Sequence, residues 1–186
     1  MKKILISFVV IVCTLCMYVN IGQAADPEDT HTISVTIDDV TTVTDQLGEY
    51  ETEIDMLAKL MWNECRGVKK TAERASVVWT VLNRVDHEKY PDTISAVIKQ
   101  RSQFAYSDNP KIYGEKNKEL FEELREIAKD VVTRWLFEKQ GVEDVGRVLP
   151  VEYIFFAGHG GHNWFRKKGS RRYWKFTLPD PYEEVK

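Results

Sequence analysis

Glu64 is a carboxylate set where helical packing asks for an apolar residue. In the stretch Met56-Leu57-Ala58-Lys59-Leu60-Met61-Trp62-Asn63-Glu64-Cys65-Arg66-Gly67, Leu57, Leu60 and Met61 recur at helical spacing and Glu64 follows on the same face. Gly67 supplies a stop signal, so Glu64 falls in the last turn, near the partial negative charge of the helix C-terminus. Partial desolvation and that dipole both disfavour the ionised form, as suits an acid that must hand over a proton near neutral pH. Pairing with Arg66 or Lys70 would instead make Glu64 an ordinary structural ion.

Two other chemistries have residues to draw on. Cys65 with His159 or His162 could form a thiol nucleophile and its base. However, a lone cysteine in the last turn of an apolar helix is more often a small buried hydrophobe, and the helix C-terminus raises its pKa. His159 and His162, with His87 or an acid as third ligand, could bind zinc. The intervening Gly160-Gly161 rules out the His-x-x-x-His helix face that zinc hydrolases use, so neither a metal nor another cofactor is expected.

The elements that must position these residues begin after a distinct N-terminus. Lys2 and Lys3 precede an apolar run from Ile4 to Met17, and Gly22-Gln23-Ala24-Ala25 offers a cleavage site. Residues 1–25 therefore read as a secretory signal, with membrane attachment only if that segment stays uncleaved. Its removal takes away Cys13 and Cys16, leaves Cys65 without an internal disulfide partner, and shifts the formal charge from −3 to about −5. The remaining charge is polarised. From Asp26 to Asp55 there are ten acids and no Lys or Arg; from His159 to Phe176 there are six bases and no acid. The basic end could meet an anionic polymer, but export and net acidity argue against nucleic acid.

Residues 26–51, rich in Thr and acid, read as a linker in which Ile33, Val35 and Ile37 allow at most one edge strand. The domain proper is expected over 52–186. A first helix runs from Thr52 to the Glu64 turn. A second, from Thr71 to about Arg84, carries Ala72, Ala75, Val78, Trp79 and Leu82 on one stripe. Asp92 or Thr93 caps a short helix bearing Ile94, Val97 and Ile98, and a long helix from about Lys116 to Glu138 buries Leu120, Leu124, Ile127, Val131 and Trp135. Between them, Gln103, Phe104, Tyr106, Asn109 and Tyr113 crowd a loop whose amides and rings suit a sugar, although Phe104 by itself is better explained as a core anchor. Extended segments at Val148-Leu149-Pro150 and Tyr153–Ala157, and a glycine-rich stretch around His159 and His162, indicate a small C-terminal hairpin or sheet. The fold class is α+β, mainly helical.

Four motifs in this order resemble the SleB-type cell wall hydrolases, the family of spore cortex-lytic enzymes: Trp62-Asn63-Glu64-Cys65-Arg66-Gly67, Val81-Leu82-Asn83-Arg84-Val85, Thr93-Ile94-x-x-Val97-Ile98 and Gln103-Phe104. The resemblance spans about 54–176. Cys65 replaces the family's usual Ala, Val68 replaces a common acid, and about one extra residue precedes Asn83-Arg84. No cortex-binding repeat accompanies the domain.

The resemblance implies a lysozyme- or lytic-transglycosylase-like helical domain. It also implies that the substrate is the peptidoglycan glycan strand, cut between N-acetylmuramic acid and N-acetylglucosamine, and it puts the catalytic Glu at Glu64. Gln103, Phe104, Tyr106, His162 and Asn163 are then the candidate substrate contacts. Ordinary retaining or inverting glycosidases need a second carboxylate, for which Glu73, Asp86 and Asp108 are available but without the semi-buried placement of Glu64. A muramoyl C6 hydroxyl can replace it, leaving one Glu as acid and base and giving a 1,6-anhydro product. A secreted, cell wall-associated monomer is expected. The competing classes are a non-catalytic glycan-binding module gripping sugar through Trp164, Tyr173 and Trp174, and a metal- or thiol-dependent peptidase.

Overall fold

The computed structural model describes residues 37–183; the expected signal segment, and the linker before Ile37, lie outside them. Among the described residues five helices precede a two-stranded antiparallel hairpin: α1 Ile37–Glu49, α2 Glu51–Cys65, α3 Thr71–Val85, α4 Ile94–Ile98, α5 Glu115–Lys139, β1 Tyr153–His159 and β2 His162–Lys167. The chain is thus mainly helical with a small C-terminal hairpin. Among the described residues no helix is long and apolar enough to cross a membrane.

One expectation needs correction. Helix α1 occupies the second half of the stretch read as a linker or edge strand, and its Val43 and Leu47 are buried. Val40, Val43 and Leu47 recur at helical spacing, while Asp38 and Asp39 sit in the first turn, where the helix dipole favours acids. The packed body therefore begins at Ile37 rather than Thr52. Tyr50, between α1 and α2, sets its ring edge-on to Trp135 of α5 with centroids 5.9 Å apart. A smaller difference is Val148-Leu149-Pro150, which is a bend leading into a turn, with Val148 and Leu149 buried, rather than a strand.

Helix α3 is the axis of the molecule, since every residue from Ala72 to Arg84 is buried. It contacts α2, α4, α5 and both strands. A helix buried all round must satisfy its polar side chains internally, and most of these do, Trp79 Nε1 being buried without a hydrogen-bond partner. Ser76 and Thr80 donate back to Ala72 O and Ser76 O, and Arg74 donates to Val68 O at 2.6 Å and to Glu123 at 2.8 Å. Asn83 donates to Pro150 O and Tyr153 O, and Arg84 Nε to Ile154 O at 2.8 Å. Asn83 and Arg84 thereby tie the hairpin to the helical body.

Helix α2 buries Ile54, Leu57, Ala58, Leu60 and Met61 completely. Each of its large apolar side chains contributes about 1.5–3 kcal/mol on burial. Thr93 caps α4 by accepting from Ala96 N. In the hairpin, His159 pairs with His162 across Gly160 and Gly161, whose φ values are +63° and +78°. Both central residues of this turn need positive φ, which Gly supplies without strain.

Candidate active site

A cleft of about 390 Å³ opens between the end of α2 and the hairpin tip. Glu64, Cys65, Gly67 and Val68 form one wall, and the segment from Gly158 to Asn163 forms the other. Glu64 is the penultimate residue of α2, and the chain leaves the helix through Arg66 in right-handed backbone, with Val68 N donating to Cys65 O at 2.9 Å. Gly67 is not in the left-handed region, so the helix ends without the glycine cap its position suggests.

Glu64 is half-buried, and its Oε1 accepts from Ala105 N at 2.5 Å. Its alternative cationic partners are engaged elsewhere. Arg66 donates to Trp62 O and lies over the Trp62 ring, while Lys70 pairs with Asp180 at 3.7 Å. Among the described residues, no side chain pairs with Glu64.

The loop holding Gln103, Phe104 and Tyr106 reaches Glu64 through the Ala105 backbone, but these three side chains do not line the cleft. Gln103 Oε1 accepts from Arg84 at 3.2 Å. Phe104 packs on the core, with the Arg84 guanidinium 4.7 Å from its ring centroid and Phe156 on another side. Tyr106 donates to Asp108 at 2.7 Å; burial and that bond push its hydroxyl up to about 12.

His162 and Asn163 do line the cleft, at the start of β2. Helical spacing gives no hint of the residue that fixes them. The Glu73 side chain, 9% exposed in the first turn of α3, lies 3.1 and 3.3 Å from His162 Nδ1 through its two oxygens and accepts from Asn163 N at 3.2 Å. The imidazole is thereby oriented by Nδ1 toward the carboxylate, with Nε2 on the far side of the ring. Of the three candidate second carboxylates, Glu73 alone bonds to residues of the cleft, since Asp86 is held by Trp135 and Lys139 and Asp108 by Tyr106. Asn163 is 2% exposed with both side-chain amide atoms unpartnered. A Cβ at Gly158 would stand 3.2 Å from its Oδ1, so that glycine leaves room for the amide.

Cys65 lies between these carboxylates electrostatically. Burial pushes its thiol up to about 12; Arg74 lowers it, and Glu64 and Glu73 both raise it. A thiolate nucleophile does not fit such a site. Among the described residues no three His, Cys, Asp or Glu side chains converge as metal ligands. The arrangement offers an acid on one wall, a carboxylate-held imidazole on the other, and space between them for a ligand.

The pattern of the Cell Wall Hydrolase family matches residues 69–175, more than half of the chain. The match holds α3 to β2, including Glu73, His162 and Asn163, and begins five residues after Glu64. No curated protein and no solved structure matches the chain.

Proposed function

The chain belongs to the cell wall hydrolase family, and from that premise we propose that it cleaves the glycan strand of peptidoglycan between N-acetylmuramic acid and N-acetylglucosamine. The observation that carries the reading is Glu64, a half-buried carboxylate without a cationic partner among the described residues, on the wall of a cleft opposite the hairpin tip. Glu64 donates its proton to the leaving glycosidic oxygen. The muramoyl C6 hydroxyl attacks C1, and its proton returns to Glu64, leaving a 1,6-anhydro end. The Ala105 N–H, bound to Oε1, holds the carboxyl in place through both steps. His162 and Asn163 contact the sugar across the cleft, with Gln103, Phe104 and Tyr106 supporting the Glu64 side of it. Residues 1–25 direct export, and the protein acts as a monomer in the wall without a cofactor.

A specific observation favours a hydrolytic variant of the same reaction. Glu73, bound to His162 on the opposite wall, supplies the second carboxylate that activation of water by a base would use. Digestion of purified sacculi followed by mass spectrometry separates the two routes. The anhydro route gives muramoyl ends lighter by one water than hydrolytic products, and fragments that all carry reducing muramic ends would overturn it. Glu64→Gln should lower muropeptide release by about 10²–10⁴-fold, the usual contribution of acid–base catalysis. Full activity in that variant would remove Glu64 from the chemistry.

A further inference from the structure

Strand alternation along β2 turns Asn163 and Phe165 inward and leaves His162, Trp164 and Arg166 outside. The next segment adds Tyr173 beside this face through a bridge between Arg166 and Tyr173. The three rings form a row. His162 and Trp164 have centroids 6.2 Å apart, Trp164 and Tyr173 5.7 Å, with interplanar angles of 54° and 56°. Trp164 and Tyr173 are 43% and 44% exposed, and both are among the few large hydrophobic side chains left in solvent among the described residues. The row starts in the cleft, because His162 lines it, and runs outward along the hairpin. Exposed Lys168, Arg171 and Arg172 flank its outer end.

Packing does not account for this face. Phe165, on the other side of the same strand, is fully buried and already anchors β2 in the core. Two adjoining exposed rings, continuous with a substrate cleft, match a ligand that is itself a row of flat rings with apolar faces. We infer that the outer face of the hairpin is a binding track for the glycan strand beyond the cleaved bond, with successive sugars stacking on Trp164 and Tyr173 and the flanking cations meeting carboxylates of the attached stem peptides. The inference rests on the proposed reaction at the cleft and adds a preference for polymer over short fragments.

The test is sedimentation of the full chain with purified sacculi, using Glu64→Gln protein so that the glycan stays intact, in parallel with muropeptide release by the otherwise unaltered chain. Trp164→Ala combined with Tyr173→Ala should weaken sacculus binding by about tenfold or more, the usual scale for aromatic anchors. The same pair of substitutions should raise KM on sacculi while leaving kcat on a short soluble muramoyl oligosaccharide unchanged. Near-identical far-UV spectra and thermal midpoints would show that both proteins are folded. Unaltered sacculus binding by the folded double variant overturns the track. Binding that disappears once covalently attached anionic polymers are stripped from the sacculi also overturns it, because the ligand would then be those polymers. Muropeptide release reports separately on the reaction, so its absence counts against the proposed chemistry and not against the track.

Discussion

The two walls of the cleft are held in place by different forces. The α2 wall is continuous with a stripe of apolar side chains, Leu57, Leu60 and Met61, all completely buried just before Glu64. The hairpin wall has Ile154 and Phe165 beneath it, but its position is set by polar side chains of α3: Glu73 on Asn163 N and His162, Asn83 on Pro150 O and Tyr153 O, and Arg84 on Ile154 O. Apolar burial is non-directional and sets where a helix lies; hydrogen bonds to named backbone atoms set register and orientation. The proposed reaction needs its acid held firmly and its sugar contacts aimed, and it can use one kind of support on each side.

Substitutions can break or sharpen that contrast. The largest effect is expected for Leu57→Ala, which leaves a cavity in the fully buried α2 stripe and should cost about 2–5 kcal/mol in chemical denaturation. A loss below about 1 kcal/mol would mean that burial is not what fixes the α2 wall. Glu73→Ala frees His162 and leaves Asn163 N without its acceptor, so it should cost about 1–3 kcal/mol while lowering sacculus cleavage more than Leu57→Ala does at a temperature where both are folded. Equal activity losses in the two variants would erase the distinction between the walls. Smallest is the hairpin turn. Gly161→Ala, at φ +78°, should cost about 1–2 kcal/mol, whereas Gly160→Asn should be nearly neutral, because Asn tolerates the left-handed region. Amide exchange across β1 and β2 would report both changes.

The helical wall was the more legible in the sequence. Helical spacing located α2, α3 and α5, and the Thr93 cap of α4, because one helix face repeats locally and needs no knowledge of its partner. Helix α1 had the same signal in Val40, Val43 and Leu47, but the briefly alternating Ile33, Val35 and Ile37, together with the many acids around them, point to an edge strand or a solvated spacer. The hairpin turn was also present, as Gly-Gly between two aromatic-rich runs, although that pair equally suits a loop drawn close to a ligand. Glu73 was legible only as one of three possible second carboxylates, and its hold on His162 and Asn163 was not. It looks like an ordinary first-turn acid until a hairpin ninety residues later supplies the imidazole and the backbone N–H that it holds. The aromatic loop shows the converse. Gln103 and Tyr106 have the residue types of a sugar site, yet their partners are Arg84 and Asp108, and the group that touches Glu64 is the N–H of Ala105, which side-chain identity does not reveal.

Cys65 gives the cleft a built-in clock. Burial pushes its pKa up to about 12, so at neutral pH the closed protein presents the unreactive thiol, and the residue is buried at the last position of α2. A thiol reagent must therefore wait for the end of α2 to open. Its labelling rate, compared with that of an unfolded peptide of the same sequence, measures how often that wall of the cleft opens, without substrate.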